Sequence, residues 1–305
     1  MKIMVTGGAG FIGSHLVNSL QNDGHELMVL DNLATGTPSN FDSRLLEYGD
    51  VTELTELGIN FKPEVIIHLA GEFRPKLIKY DQVKVANTNI KGTAEVMKFA
   101  VMRGVRRVVN ISSAAVYGNQ VHLPISEDRS KYNPLSIYGQ SKLSAEWISK
   151  SVADQYGVEL NTLRLFNVYG PGQGFEQANA LIPTLIHKMM HDERPMIDGN
   201  GLQTRDFVYV EDVVDIIKKA ATADEPRSST VNVASCSPMS VLDVLHAIRK
   251  ELNKDITPLY GFSRPGDIYS SIGLNAKAKR LYEWEPTTDF TTGIKKTVDW
   301  WKSCE

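Results

Sequence analysis

Near its start the chain reads Thr6-Gly7-Gly8-Ala9-Gly10-Phe11-Ile12-Gly13, directly after the apolar run Lys2–Thr6 and directly before a segment of helical period. A glycine loop between a strand and a helix constrains the fold more than any other feature here. Gly7 permits a tight turn, Gly10 lets the backbone approach a diphosphate, and Gly13 lets the helix pack closely on the strand. The free N–H groups and positive dipole end of that helix favour a bound anion. The spacing predicts a strand over Lys2–Thr6 and a helix over Phe11–Gln21, with Phe11, Ile12, Leu16, Val17 and Leu20 on one face.

The same alternation continues. Glu26–Leu30, Leu45–Tyr48, Val65–Ala70, Val105–Ser112 and Glu159–Phe166 read as strands, and Lys84–Val101 and Ser136–Tyr156 have helical length and spacing. Strands alternating with helices predict an α/β fold, a doubly wound parallel (Rossmann) sheet covered on both faces. After about Asn167 the loops grow richer in Gly and Pro, although Asp206–Val210 and Val231–Ala234 remain strand-like. We therefore expect a dinucleotide-binding domain over 1–166 and a smaller α/β substrate-binding domain over 167–305. Segments within about 206–234 are expected to return to the main sheet.

Composition narrows the function. Lys+Arg number 33 and Asp+Glu 36, a net charge of −3, without the basic footprint of a nucleic-acid binder. Apolar residues make up 42%, as in ordinary folded domains. No apolar run reaches the roughly 18 residues that a membrane span needs. The chain enters its first strand without a leader-like segment, and its two cysteines, Cys236 and Cys304, have no metal or redox spacing. A cytoplasmic protein is the expectation.

Asp31 closes the second strand, eighteen residues past Gly13. A carboxylate there accepts from an adenosine ribose and repels a 2′-phosphate, which favours NAD over NADP. The same side chain is equally suited to an Asx-turn in Asp31-Asn32-Leu33. Asp50-Val51 would flank an adenine ring, with a helix cap as the alternative for Asp50.

Tyr138 and Lys142 stand four residues apart in a helical segment, so both project from one face. A nearby ammonium lowers a phenol's pKa and makes it a usable base. Ser113 lies at the C-terminal end of the Val105–Ser112 run, the edge of an open α/β sheet where ligands bind. These three are the candidate catalytic residues. His187 and His191 lack the acidic partner of a metalloprotease helix and read as an exposed face, with no metal expected. His68 reads as structural, and Trp300 and Trp301 as packing.

These segments resemble the extended short-chain dehydrogenase/reductases, and within them the NAD-dependent epimerase/dehydratase family. The resemblance runs through TGGAGFIGSHL, DNL at 31–33, GDV at 49–51, HLAG at 68–71, NTNIKGT at 87–93, SSAAVYG at 112–118, YGQSK, RLFNVYGPGQ at 164–173, QTRDFVYVEDV at 203–213 and RPGD at 264–267. It implies that Phe11, Ile12, Asn32, Leu33, Leu69, Ala70, Gly71, Asn89 and Phe166 line the dinucleotide together with the residues named above. It also implies that Asn167, Arg205 and Arg264 hold a substrate diphosphate and that Asp267 reaches the nucleoside ribose. Arginine forks suit that chemistry.

Family dehydratases carry acidic residues after the catalytic serine. Ala114 and Ala115 stand there instead, so reversible oxidation and reduction at one sugar carbon is the activity the resemblance implies, most simply 4-epimerisation of a UDP-hexose. Another sugar-nucleotide oxidoreductase (a uronate or N-acetylhexosamine epimerase, a 4-keto reductase) and a non-catalytic NAD sensor are the alternatives. Glu72 and Arg74 depart from the small or uncharged residues usual after HLAG. They read either as a solvated loop or as contacts selecting an unusual sugar. The resemblance also implies a homodimer through Lys84–Val101 and Ser136–Tyr156, with Val96, Phe99, Trp147 and Ile148 as apolar candidates and ordinary core as the alternative for all four.

Overall fold

The computed structural model describes residues 1–175, 180–224, 228–263 and 268–304. Its centre is a seven-stranded sheet built from β1 (Lys2–Thr6), β2 (Glu26–Asp31), β3 (Leu46–Tyr48), β4 (Val65–His68), β5 (Arg107–Ser113), β6 (Glu159–Leu165) and β10 (Ser229–Val233). Their order is β3-β2-β1-β4-β5-β6-β10, with every neighbouring pair parallel. The chain leaves β1 toward β2 and β3 and then returns to the other side of β1 as β4. That reversal opens a crevice at the carboxyl ends of β1 and β4.

The strands are apolar on both faces because helices cover both. Ile3 and Val5 of β1 pack with Leu16, Val17 and Leu20 of α1 (Phe11–Asn22), while Met4 between them packs with Val96 and Met97 on the opposite side. Ile3, Met4 and Val5 are fully buried. Each such side chain contributes roughly 1.5–3 kcal/mol relative to exposure. Two short helices, α2 (Pro75–Tyr80) and α3 (Gln82–Ala86), lead into a π-helical turn at Asn87–Lys91 and then α4 (Gly92–Arg103). The long α5 (Ile137–Tyr156) begins under a Ser136 cap, whose hydroxyl accepts from the Gly139 N–H at 3.1 Å.

Lys84–Val101 is thus not one regular helix. The sequence pattern carries no mark of the π-turn, since its residues keep helical spacing. Val96 and Phe99 take the core alternative: they are 0% and 2% exposed, turned into the core beneath the sheet rather than outward. Trp147 is exposed and Ile148 half-buried.

Beyond β6 a second sheet forms from β7 (Asn167–Tyr169), β9 (Thr204–Tyr209), β11 (Pro238–Ser240) and β13 (Ser270–Ser271), with β9 at its centre. A further pair joins β8 (Met196–Asp198) to β12 (Leu259–Gly261). Only the later part of the 206–234 stretch therefore joins the main sheet, as β10 beside β6. The β9 segment pairs with β7, β11 and β13 instead. Between them α7 (Val210–Thr222) packs against α1 on the face of the main sheet, and α6 (Leu181–Met190), α8 (Val241–Leu252) and α10 (Phe290–Ser303) enclose a separate core. The remaining α9 (Ala276–Tyr282) lies beside β10. No helix among the described residues is long and apolar enough to cross a membrane.

Candidate active site

A cleft of about 620 Å³ lies over the crevice and continues between the two sheets. One wall is the glycine loop. The Gly7 N–H donates to Leu30 O at 2.8 Å, and its φ of +74° is one that a side chain disfavours. A Cβ at Gly13 would lie 2.3 Å from Gly7 O, so the close helix–strand approach expected of Gly13 is present. Gly10, Phe11 and Ile12 line the same wall.

Asp31 and Asn32 also line the cleft. Asp31 accepts from the Ala9 N–H at 2.9 Å and from the Leu33 N–H at 2.8 Å. It therefore ties the glycine loop to the end of β2 and makes the Asx-turn, while its carboxylate still faces the cleft. Asp50 takes the cap alternative: it accepts from the Thr52 N–H at 2.9 Å and from Asn32 Nδ2 at 2.8 Å, outside the cleft lining, while Val51 reaches it. Leu33, with φ +55°, packs against the core behind the loop and is likewise not in the lining.

Leu69, Ala70 and Gly71 form the floor after β4. Asn89 differs from expectation. It is 1% exposed, its Oδ1 accepts from the Glu72 N–H at 2.7 Å, and its Nδ2 donates to Glu72 O and Ser141 Oγ at 2.9 Å each. The π-turn places this amide behind the floor, where it clamps the loop and does not line the cleft. Glu72 is no solvated loop residue either. It is 5% exposed at the cleft wall, with its carboxylate bound by the Arg74 guanidinium, which holds it below the usual carboxylate range.

His68 is buried and structural. Thr93 gives its hydroxyl proton to Asn89 O, so its oxygen accepts from His68 Nε2–H at 3.0 Å, and Nδ1 then accepts from Thr6 at 2.7 Å. Burial, with Lys142 nearby, lowers its pKa to about 3 and keeps it neutral.

Ser113, Tyr138 and Lys142 meet in the cleft beyond this floor. β5 ends at Ser113, and the first turns of α5 carry the other two. Ser113 and Tyr138 both line the cleft, and the Ser113 oxygen accepts from the Ala115 N–H at 3.1 Å. Lys142 donates to Ile111 O at 2.9 Å. A carbonyl partner such as this leaves no trace in a sequence.

Burial pushes the Tyr138 phenol up, and the Ser113 hydroxyl offsets part of that push. Lys142 is engaged by a backbone carbonyl, and burial brings it down to about 8.

At the far end, Phe166, Asn167 and Arg205 line the cleft. Asn167 Nδ2 donates to Asp206 O at 3.1 Å, which fixes β7 to β9. Lys84, Gln203 and Phe207 lie in the same lining and were not singled out from the sequence, because a lone polar or aromatic residue has no motif of its own. Arg264 and Asp267 lie outside the described residues. His187 is half-buried, stacked on Phe175 at 4.4 Å, and only His191 is exposed.

A glycine cradle at a topological switch point, facing a serine, a tyrosine and a lysine across one cleft, defines a dinucleotide-dependent protein of the short-chain dehydrogenase/reductase class. The profile of the NAD dependent epimerase/dehydratase family matches residues 3–234. The chain belongs to that family, and its cofactor is NAD. It is 33% identical over 312 residues to a UDP-glucose 4-epimerase of Mycolicibacterium smegmatis, covering 99% of both chains. The UDP-glucose 4-epimerase of Thermotoga maritima, solved with UDP-glucose, superposes with a TM-score of 0.93 at 30% identity, covering 100% of this chain and 99% of that one. The UDP-glucuronic acid 4-epimerase of Bacillus cereus, solved with UDP-glucuronic acid and NAD, gives 0.89 at 27% identity and covers 100% of both.

The cradle fits such a cofactor. Cβ atoms at Gly7 and Gly13 would occupy its tightest points, and Asp31 stands at the end of β2. Because Asp31 also anchors Ala9 and Leu33, two substitutions should differ. Asp31→Ala removes the charge and the anchor together, and should weaken both dinucleotides, NAD the more. Asp31→Asn keeps an acceptor but removes the charge, and should raise the NADP-to-NAD affinity ratio. Calorimetric titration with both dinucleotides separates these outcomes.

Proposed function

We propose that this protein is a nucleotide-sugar 4-epimerase of the UDP-glucose/UDP-galactose type. The observation that carries the reading is the convergence of Ser113, Tyr138 and Lys142 on one cleft, with Ala114 and Ala115 following the serine. That set can move one proton at one oxygen and offers no further acid or base for eliminating water. Ser113 orients the sugar 4-hydroxyl, and Tyr138 takes its proton at the phenol oxygen as the C4–H bond breaks. NAD, held by the glycine loop and the end of β2, would supply the acceptor and source of the C4 hydride when bound. Tyr138 gives the proton back, so the protein ends each turnover as it began.

Arg205 and Asn167, with Arg264 and Asp267 by resemblance, are the proposed grip on the nucleoside diphosphate. Arg205→Ala should raise KM about ten- to a hundredfold, the loss of a charge-assisted hydrogen bond, and change kcat much less. Unchanged KM would remove Arg205 from the substrate site. A homodimer remains part of the proposal, through the exposed Val83, Met102 and Trp147 of α3, α4 and α5.

The deciding experiment is incubation of the NAD-loaded protein with UDP-galactose, UDP-glucuronic acid and UDP-N-acetylglucosamine, with epimer-resolving chromatography. Fastest turnover of UDP-galactose supports the reading. A preference for the uronate would move the proposal to that epimerase. NAD binding with no turnover of any sugar would replace it with a sensor.

A further inference from the structure

Tyr138, Lys142 and Glu146 follow one another at i, i+4 and i+8 along α5, a single stripe of the helix. The proposed chemistry uses the first two. Glu146 is 6% exposed, beneath the sheet. Arg164 of β6 grips its carboxylate with both arms, Nε to Oε1 at 2.9 Å and Nη2 to Oε2 at 2.6 Å. The Ser112 hydroxyl donates to Oε1 as well. Ser112 and Arg164 are register partners on adjacent strands, so β5 and β6 reach the same carboxylate.

The guanidinium is satisfied in its turn. It donates to the hydroxyls of Tyr117 at 2.7 Å and Tyr132 at 2.9 Å and lies 4.9 Å and 4.7 Å from their ring centroids. Tyr117 passes its proton to Asn232 Oδ1 on β10 at 2.7 Å. Three strands of the sheet thus converge on one side chain of the catalytic helix.

Packing alone would not favour this arrangement. A buried ion pair is commonly replaced by apolar residues of similar volume at no cost in stability. Its position is what distinguishes it: one turn from Lys142 on the helix, and bound to the residue that immediately precedes Ser113. We propose that Glu146 is a positioning residue for the reaction, whose fixed carboxylate supports the charge of the Lys142 ammonium and anchors the end of β5 that presents Ser113. This rests on the reading of Ser113, Tyr138 and Lys142 given above.

The surroundings of Lys142 leave Glu146 that task. From β4 it faces His68, which is neutral; from β5, the carbonyl of Ile111; from the π-turn, the amide of Asn89; and from its own helix, Tyr138 and Glu146. Arg164 of β6 is bound to the same carboxylate. Burial pulls the ammonium down, and Glu146 is the charge that opposes it.

The test compares the NAD-loaded wild type with Glu146→Gln, with Glu146→Gln/Arg164→Met and with Ser112→Ala. The double variant leaves no unpaired buried charge and should melt within a few degrees of wild type. Carbon-13 NMR of Nζ-adjacent carbons in labelled lysine, with Lys142 assigned through Lys142→Met, reads the Lys142 midpoint without any substrate. In Glu146→Gln the midpoint should fall by about one pH unit or more, since a lost neighbouring carboxylate disfavours the charged form, and in the double variant, which loses the Arg164 cation as well, it should fall by less. The alkaline limb of kcat/KM should move down with it. Ser112→Ala should leave the midpoint in place and lower kcat severalfold at unchanged KM. An unmoved midpoint in either folded Glu146 variant overturns the proposal. If wild type epimerises nothing, the NMR midpoint still decides the role of Glu146, and the failure belongs to the proposed function.

Discussion

Tyr138→Phe is expected to lower epimerisation of UDP-galactose by 10²- to 10⁴-fold, the range typical of losing a general base, while NAD and nucleotide-sugar affinities change little. The ring volume is kept, and the position of the aromatic is set by α5 and its Ser136 cap rather than by the hydroxyl. What is lost is the phenol oxygen that faces the cleft with Ser113. The pH dependence should carry the same signature. Burial raises the phenol and brings Lys142 down to about 8, so neither limb of kcat/KM is assigned to one residue. Tyrosine and lysine titrate as a coupled pair, so the two limbs belong to the pair. Near-normal turnover in Tyr138→Phe would end the mechanism.

The residues that could be read from the sequence are those whose chemistry is tied to a local backbone shape. A glycine loop between a strand and a helix, and a tyrosine–lysine pair at helical spacing, carry their geometry in their spacing. Gly7, Gly13, Tyr138 and Lys142 accordingly face one cleft. Ser113 was legible for another reason: strand ends on one edge of an open sheet converge whatever their separation in sequence.

What could not be read depends on partners brought in from afar. Asn89 was expected against the cofactor, but a π-turn rotates its amide onto Glu72 and Ser141, seventeen and fifty-two residues away. Of the 206–234 stretch, β10 returns to the main sheet, while β9 has neighbours on both sides in a second one. A strand's apolar pattern reveals that it is buried without revealing beside which strand. Val96 and Phe99 take the core alternative, since an apolar stripe on α4 satisfies the core and an interface equally well.

Gly7→Ala should reduce NAD affinity at least about a hundredfold, close to 2.7 kcal/mol. Two costs add. At φ +74° an L-residue loses roughly 1–2 kcal/mol in the left-handed region. The new methyl would also lie 2.6 Å from Ala70 N and 2.8 Å from Ala70 Cα, backbone atoms that cannot rotate away. Either Gly7 or the floor after β4 must shift. Gly7 O accepts from the Gly10 N–H at 3.2 Å and lies under Gly13, so movement at Gly7 carries the rest of the cradle with it. Gly24→Ala is the matched control. It has φ +78° but nothing within 4 Å of a new Cβ, so it takes the backbone cost alone and should bind NAD normally. Calorimetric titration of both variants, with their melting temperatures, separates the two costs. Equal loss of affinity in both would trace the effect to general destabilisation. Retained affinity in Gly7→Ala would mean that the diphosphate does not lie in this cradle.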